Sequence, residues 1–283
     1  MKSDAIAAPL QSVAEPRALN AGNTVNPVFG YFMQIWAVFS AEAQKLRHDP
    51  FELATRAIQP MLWLLLFGQV MVNLRGIPTG KLDYIDYLSA GILSQSVLFA
   101  AIFFGISAIW EKDLGILHRM MVSPAPRSTI VLGKALAAGI RGIVQGLIVY
   151  VLASIAGAHV SLNPAHIIGV LLFIALGSAV FSTLSLIIAC FVKTRERFMG
   201  IGQVLTMPLF FASNAIYPLS LMPDWLQIVA RFNPLTYQVD GVRALMIKGG
   251  ASDFGLLADY GILATVFFVL VLIAERMYPK LVA

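Results

Sequence analysis

The residues best placed to do chemistry sit in the segment Glu111–Arg127, EKDLGILHRMMVSPAPR. Glu111, Lys112, Asp113, His118 and Arg119 alternate there with Leu114, Ile116, Leu117, Met120 and Met121, and Pro124 and Pro126 stop any helix. Acids and bases mixed with exposed apolar side chains suit docking better than bond-making. A short helix with an apolar face outside a membrane needs a partner groove, whereas a plain solvated loop would not carry Leu117, Met120 and Met121 together. A second candidate is Arg141, inside an apolar stretch, with Gln145 one turn on and positioned to share its partner. A charge at mid-span costs about 3 kcal/mol on insertion scales. Arg141 therefore either reaches toward water along its aliphatic stem, as a structural residue, or meets a substrate. Ala138, Gly142 and Gly146 form a small-residue stripe on the same helix, which invites close packing within or between subunits. Phe103, Phe104, Met207, Phe210 and Phe211 either line a pocket for an amphiphile or face lipid. No catalytic residue and no metal site is expected. His48, His118, His159 and His166 are scattered through connecting segments without ligand spacing, and neither H-E-x-x-H nor G-x-S-x-G is present. No G-x-x-x-x-G-K-[ST] run occurs, so no phosphate-cradling loop exists in this chain.

These groups must be positioned by elements of an unusual kind. The chain of 283 residues is 58% hydrophobic and only 12% charged, against about 25% charged in soluble domains. Six apolar stretches stand out: Ala57–Leu74, Tyr87–Trp110, Ala135–Ala158, Ile167–Val192, Phe198–Tyr217 and Phe254–Ala274. Each has about 18 residues or more, enough to cross a hydrocarbon core of roughly 30 Å as helix. Runs this continuous exclude barrel strands. The expected fold is an all-α integral membrane protein with six transmembrane helices. Met1–Asn26, rich in Ala, Pro, Asn and Ser, is expected to be a disordered cytoplasmic tail, with residues 27–283 forming the membrane domain. It lacks the basic start and apolar core of a signal peptide. The single Cys190 rules out a disulfide framework. Net charge is +5, which in such a chain marks inner loops rather than nucleic-acid binding. Fourteen of the 20 Lys and Arg residues fall on one set of connectors and five on the other, with Arg141 inside a span. This asymmetry places both termini in the cytoplasm. Asp259, near the outer end of the last stretch, is expected to reach water.

Three further segments complete the plan. Val28–His48 reads as an amphipathic interfacial helix, bracketed by Pro27 and Pro50. Phe32, Ile35, Trp36, Phe39, Ala43 and Leu46 are assigned to one face, and Gln34, Glu42, Gln44, Lys45 and Arg47 to the other. Pro218–Met246 holds two short helices, one with Trp225 and Phe232 and ended by Asn233-Pro234, the other Tyr237–Met246. They form a re-entrant or interfacial hairpin before the last span. Lys193–Arg197, KTRER, is an inner basic anchor.

With EKDLGILHRMMVSPAPR leading into LGKAL, and SNAIYPLSLMPDWLQ followed by NPLTY, the chain from Val28 onward resembles the permease subunit of type-2 ABC exporters. It is most similar to daunorubicin-resistance-type permeases, and more loosely to nodulation-factor and polysaccharide exporters. The resemblance implies an inner-membrane exporter of a hydrophobic or amphipathic substrate: a drug, a lipid or a lipid-linked glycan. It implies a separate cytoplasmic ABC ATPase that binds ATP and Mg, and a second permease subunit, identical or homologous. Glu111–Met121 then maps to the coupling helix, the end of the N-terminal helix touches the ATPase, and Pro218–Met246 caps the pathway. Membrane lipids are the remaining partner. An ion-gradient-driven transporter would need acids inside spans and internal repeats, and a lipid enzyme would need clustered polar groups at one depth.

Overall fold

The computed structural model describes residues 27–48, 58–74, 79–80, 82–116, 126–192 and 194–282. The tail expected over Met1–Asn26 lies outside them. Among the described residues the longer helices run in the order α1 (Pro27–His48), α2 (residues 58–74), α3 (Tyr84–Phe103), α4 (Gly105–Asp113), α5 (Arg127–Ile155), α6 (Pro164–Phe191), α7 (Arg195–Phe211), α8 (Asp224–Phe232), α9 (Pro234–Met246) and α10 (Leu256–Val282). Among the described residues four stretches are long and apolar enough to cross a membrane: α3 with α4 (Tyr84–Asp113), α5, α6 and Leu256–Tyr278 of α10. α2 and α7 are shorter, at about 25 Å each by helical rise.

α6 is the hub. It is apolar all round, which is the pattern of a helix surrounded by others, and α3, α5, α9 and α10 all pack on it. Phe173, Ile174, Val180, Phe181 and Leu186 on it are fully buried. α5 approaches it closely because it lacks side chains at two points of the contact. A Cβ at Gly142 or Gly146 of α5 would strike Ser178 or Ile174 of α6. The small-residue stripe therefore joins two helices of one subunit.

Several boundaries differ from the sequence reading. The second span starts three residues earlier than expected, breaks at Phe104, and resumes as α4 through Asp113. α5 starts at Arg127, eight residues ahead of its apolar window. Both helices continue into connectors that hydropathy had assigned to a loop. The fifth stretch does the reverse: α7 ends at Phe211, not Tyr217. Pro208 weakens its last turn, and the Asn233 side-chain amide donates to the carbonyls of Leu209 (2.6 Å) and Ala212 (2.9 Å) at the helix end. The turn that follows is held from α3, where Tyr87 donates to Asn214 O at 2.9 Å and Tyr84 to Ile216 O at 3.3 Å. α2 carries a π turn at Trp63–Gly68.

α1 packs lengthwise on α5. Its faces are not those assigned from sequence. Ile35 and Glu42, placed there on opposite faces, are both buried on the α5 side, as seven residues of helix require. Tyr31 donates to Ser128 Oγ at 3.0 Å on the same side. Phe29, Phe32, Met33 and Trp36 are exposed.

Candidate functional site

One end of the bundle holds a buried ion cluster built by three elements. Lys134, on α5, has no exposed surface. Its Nζ donates to Glu111 Oε2 of α4 at 2.6 Å and to Glu42 Oε1 of α1 at 2.9 Å. Arg141 lies one heptad beyond Lys134 and so on the same face of α5; its guanidinium is 3.9 Å from Glu42 Oε2. Phe104, at the α3–α4 break, presents its ring to both cations, 5.8 Å from Lys134 Nζ and 5.0 Å from the Arg141 guanidinium carbon. Two cations thus face two carboxylates, which offsets the cost of desolvating each. Tyr278 of α10 is buried beside them.

The sequence reading had counted Lys134 with the solvated inner charges and Glu111 with the docking surface. Both point inward instead. The seven-residue spacing Lys134–Arg141, with Glu42 the one acid of the first amphipathic segment and Glu111 opening the second, was the available signal. Beyond Glu111 the chain turns outward. Lys112 is half-buried, and Asp113, Leu114 and Ile116 are exposed. Asp113 is fixed by Arg195 of α7 at 2.6 Å, and that guanidinium lies 3.4 Å over the Trp110 ring. An exposed apolar tip, Leu114 and Ile116, is therefore carried on an anchored helix end. Leu117, His118, Arg119, Met120 and Met121 lie outside the described residues, as do the side chains of Lys45 and Arg47. Trp36 is exposed and Phe39 half-buried; their rings pack at 5.0 Å.

At mid-bundle Arg141 and Gln145 part company. Arg141 turns toward Glu42, while Gln145 Nε2 donates to Ser96 Oγ of α3 at 2.8 Å. Ser96 borders a cavity of about 220 Å³ between α2 and α3, lined by Gln59, Pro60, Gln95, Phe99, Ala100 and Phe103. Phe210 is fully buried against Trp63, at 6.0 Å between rings, and Phe211 is exposed.

At the opposite end α8 exposes Trp225, Ile228, Val229 and Phe232 along one side. Asn233 caps α9, its side chain accepting from Leu235 N at 3.0 Å, and Pro234 takes the first helical position. α9 is almost wholly buried between α3, α6 and α10. Arg243, counted from sequence among the outer charges, is 4% exposed. It lies over the Tyr87 ring at 3.5 Å and donates to Asn214 O at 2.7 Å. Asp259 is fully buried, not in water.

His159 meets Asp86 across 73 residues of sequence: its backbone N–H donates to Oδ1 at 2.7 Å, and its ring Nδ1 lies 3.2 Å from Oδ2. Asp83 brings a third ligand-type atom within 4.8 Å. Sequence spacing missed this grouping. Both Asp86 oxygens are engaged by His159, so the contact reads as a clamp between the α5–α6 connector and the start of α3.

Residues 33–247 match the family described as ABC-2 type transporter. A putative transport permease ycf38 of Pyropia yezoensis is 30% identical over 214 residues, covering 75% of this chain and 73% of its own length. The inner membrane transport permease YadH of Escherichia coli (strain K12) is 24% identical over 232 residues, covering 79% and 87%. Nodulation protein J of Rhizobium leguminosarum bv. trifolii is 26% identical over 191 residues, covering 67% and 71%.

Proposed function

From the premise that this chain belongs to the ABC-2 type transporter family as a multi-pass permease, we propose that it is the membrane subunit of an ATP-driven exporter. A separate cytoplasmic ABC ATPase supplies the ATP and Mg chemistry. This chain supplies the path and the coupling. The cargo is hydrophobic or amphipathic: a drug, a lipid or a lipid-linked glycan. The name of the similar nodulation protein and the aromatic and amide lining of the cavity beside Ser96 support that class. The inner membrane is the proposed location, in keeping with YadH, with both termini cytoplasmic as the Lys and Arg asymmetry requires. All six apolar stretches cross, with α2 and α7 as the short crossings. Their exposed apolar sides, Leu62, Leu66 and Val70 on one and Met199 and Val204 on the other, suit a second permease copy across the path. The exposed aromatics of α1 suit lipid at the inner interface.

The observation that carries this reading is the anchored apolar tip of α4. An exposed Leu114 outside the bilayer, held by Asp113–Arg195 and Glu111–Lys134, is a lever in want of a socket. Displacement of that tip by the ATPase would move α1 and α5 together through Lys134. Leu114→Asp tests it. Leu114 is 65% exposed, so the substitution should leave membrane insertion and melting unchanged. It puts a charge into the apolar contact with the ATPase. We expect ATPase association to weaken at least about tenfold, a change of about 1.4 kcal/mol, with export falling accordingly. Unchanged association would remove the tip from the coupling contact.

A further inference from the structure

The outer end holds a second buried cluster that the coupling scheme does not use. Asp240 of α9 is 1% exposed, and Asp259, in the first turn of α10, has no exposed surface. Ser252, in the connector between these helices, joins them. Its Oγ lies 2.7 Å from Asp240 Oδ2 and 2.9 Å from Asp259 Oδ2. It also accepts from Gly255 N at 2.6 Å.

A hydroxyl has one hydrogen and two acceptor positions. Ser252 can donate to one carboxylate only, so its contact with the other needs a hydrogen from the carboxyl side. Asp240 Oδ2 also accepts from Asp253 N at 2.9 Å and Phe254 N at 3.3 Å. Asp259 has no such backbone donors among the described residues. With Asp259 as a carboxylic acid donating to Ser252 Oγ, the serine hydrogen goes to Asp240 and every contact is satisfied. Independently of this network, the Oδ1 atoms of Asp240 and Asp259 are both buried without a hydrogen-bond partner among the described residues.

The surrounding charge favours the same state. α9 contributes Arg243 and Tyr237, α3 contributes Tyr87, α8 contributes Arg231, and the connector contributes Asp253. α6 carries no acid or base except His166, which bonds Ser161 Oγ. Arg243 is the cation beside Asp240 and Asp253, so three ionised carboxyls would outnumber it. Burial and the neighbouring Asp240 already push the Asp253 carboxyl above its ordinary range. Like charges this close are not all ionised together.

We propose that Asp259 binds a proton shared with Asp240 through Ser252, and that this proton latches the buried helix α9 against α10 at the outer end of the path. Removing the proton leaves two facing carboxylates and drives α9 and α10 apart. The latch thus makes the outer end responsive to alkaline pH, whatever the cargo.

Infrared difference spectroscopy of the full chain in nanodiscs reads the proton directly. The wild type should show the carbonyl stretch of a protonated carboxyl at about pH 7, lost by about pH 9. The band should be absent in Asp259→Asn, which keeps the shape of the protonated side chain, and present in Asp253→Asn. Melting gives a second readout. The folded pair holds a proton that the unfolded carboxyls release above about pH 4, so wild-type stability should fall as pH rises from there to the pH at which the band is lost and level off beyond it, and Asp259→Asn should flatten the fall. Absence of the band in the wild type at about pH 7, or its persistence in Asp259→Asn, would overturn the latch. Should Asp259→Asn fail to fold, the wild-type titration still decides: a band that titrates away supports the latch, and no band refutes it.

Discussion

Lys134→Met is expected to destabilise the chain by about 3–5 kcal/mol, the cost of leaving buried charge without its counter-ion. Lys134 Nζ holds Glu111 at 2.6 Å and Glu42 at 2.9 Å, and both acids are almost fully buried. Methionine fills the space but removes the ammonium that faces both carboxylates, and the Arg141 guanidinium lies farther off, 3.9 Å from Glu42. Two further changes separate stability from coupling. In Lys134→Met with Glu42→Gln and Glu111→Gln, no buried acid is left uncompensated, and melting should recover most of the loss. Export should not recover, because α1, α4 and α5 would no longer be tied through charge. Thermal melting in detergent, read beside export in vesicles, checks both halves. A single Lys134→Met substitution that melts like the wild type would show that the cluster contributes nothing to the fold.

Gly91→Val carries the other large effect. A Cβ at Gly91 would fall on the backbone carbonyl, carbonyl carbon and Cα of Ala215. A backbone cannot rotate away as a side chain can, so α3 and the Ser213–Tyr217 turn must separate. Overpacking of this kind costs about 1–3 kcal/mol. The damage is local to the outer end, because that turn also receives Tyr84, Tyr87 and Arg243. We expect the variant to insert and bind its ATPase while losing most export. Gly200→Ala is the contrast. Nothing lies within 4 Å of a Cβ there, and alanine in a helix gains about 0.5–1 kcal/mol over glycine. It should melt at or above the wild-type temperature. Equal export in wild type and Gly91→Val would remove the outer turn from the pathway.

The parts of this protein that sequence displayed are those governed by transfer into lipid. Long apolar runs marked α3, α5, α6 and α10, and Asn233-Pro234 marked the α8–α9 joint through a capping side chain and a proline at the first helical turn. What sequence concealed was governed by partners far away in the chain. Hydropathy ended the second span at Trp110 and began the third at Ala135, because Glu111 and Lys134 look costly one residue at a time. Together they are a buried pair, and both helices run on through them. Asp259 likewise looked bound for water because Asp240 and Ser252 were not visible as its neighbours. The end of α7 was hidden for the same reason: Asn233, more than twenty residues on, holds its last carbonyls. The two faces of α1 were a plain error of period, since Ile35 and Glu42 stand seven residues apart.

The central claim is that this chain carries and couples while another protein hydrolyses ATP. The most direct measurement is ATP turnover of the purified chain alone, of its cytoplasmic ATPase alone, and of the two reconstituted together in nanodiscs. The account predicts no turnover above background for this chain alone. A stable complex is expected in which turnover disappears when the phosphate-loop lysine of the ATPase is replaced, and Leu114→Asp should weaken its assembly at least about tenfold. Substantial turnover by this chain alone, or export that proceeds without the ATPase, would contradict it.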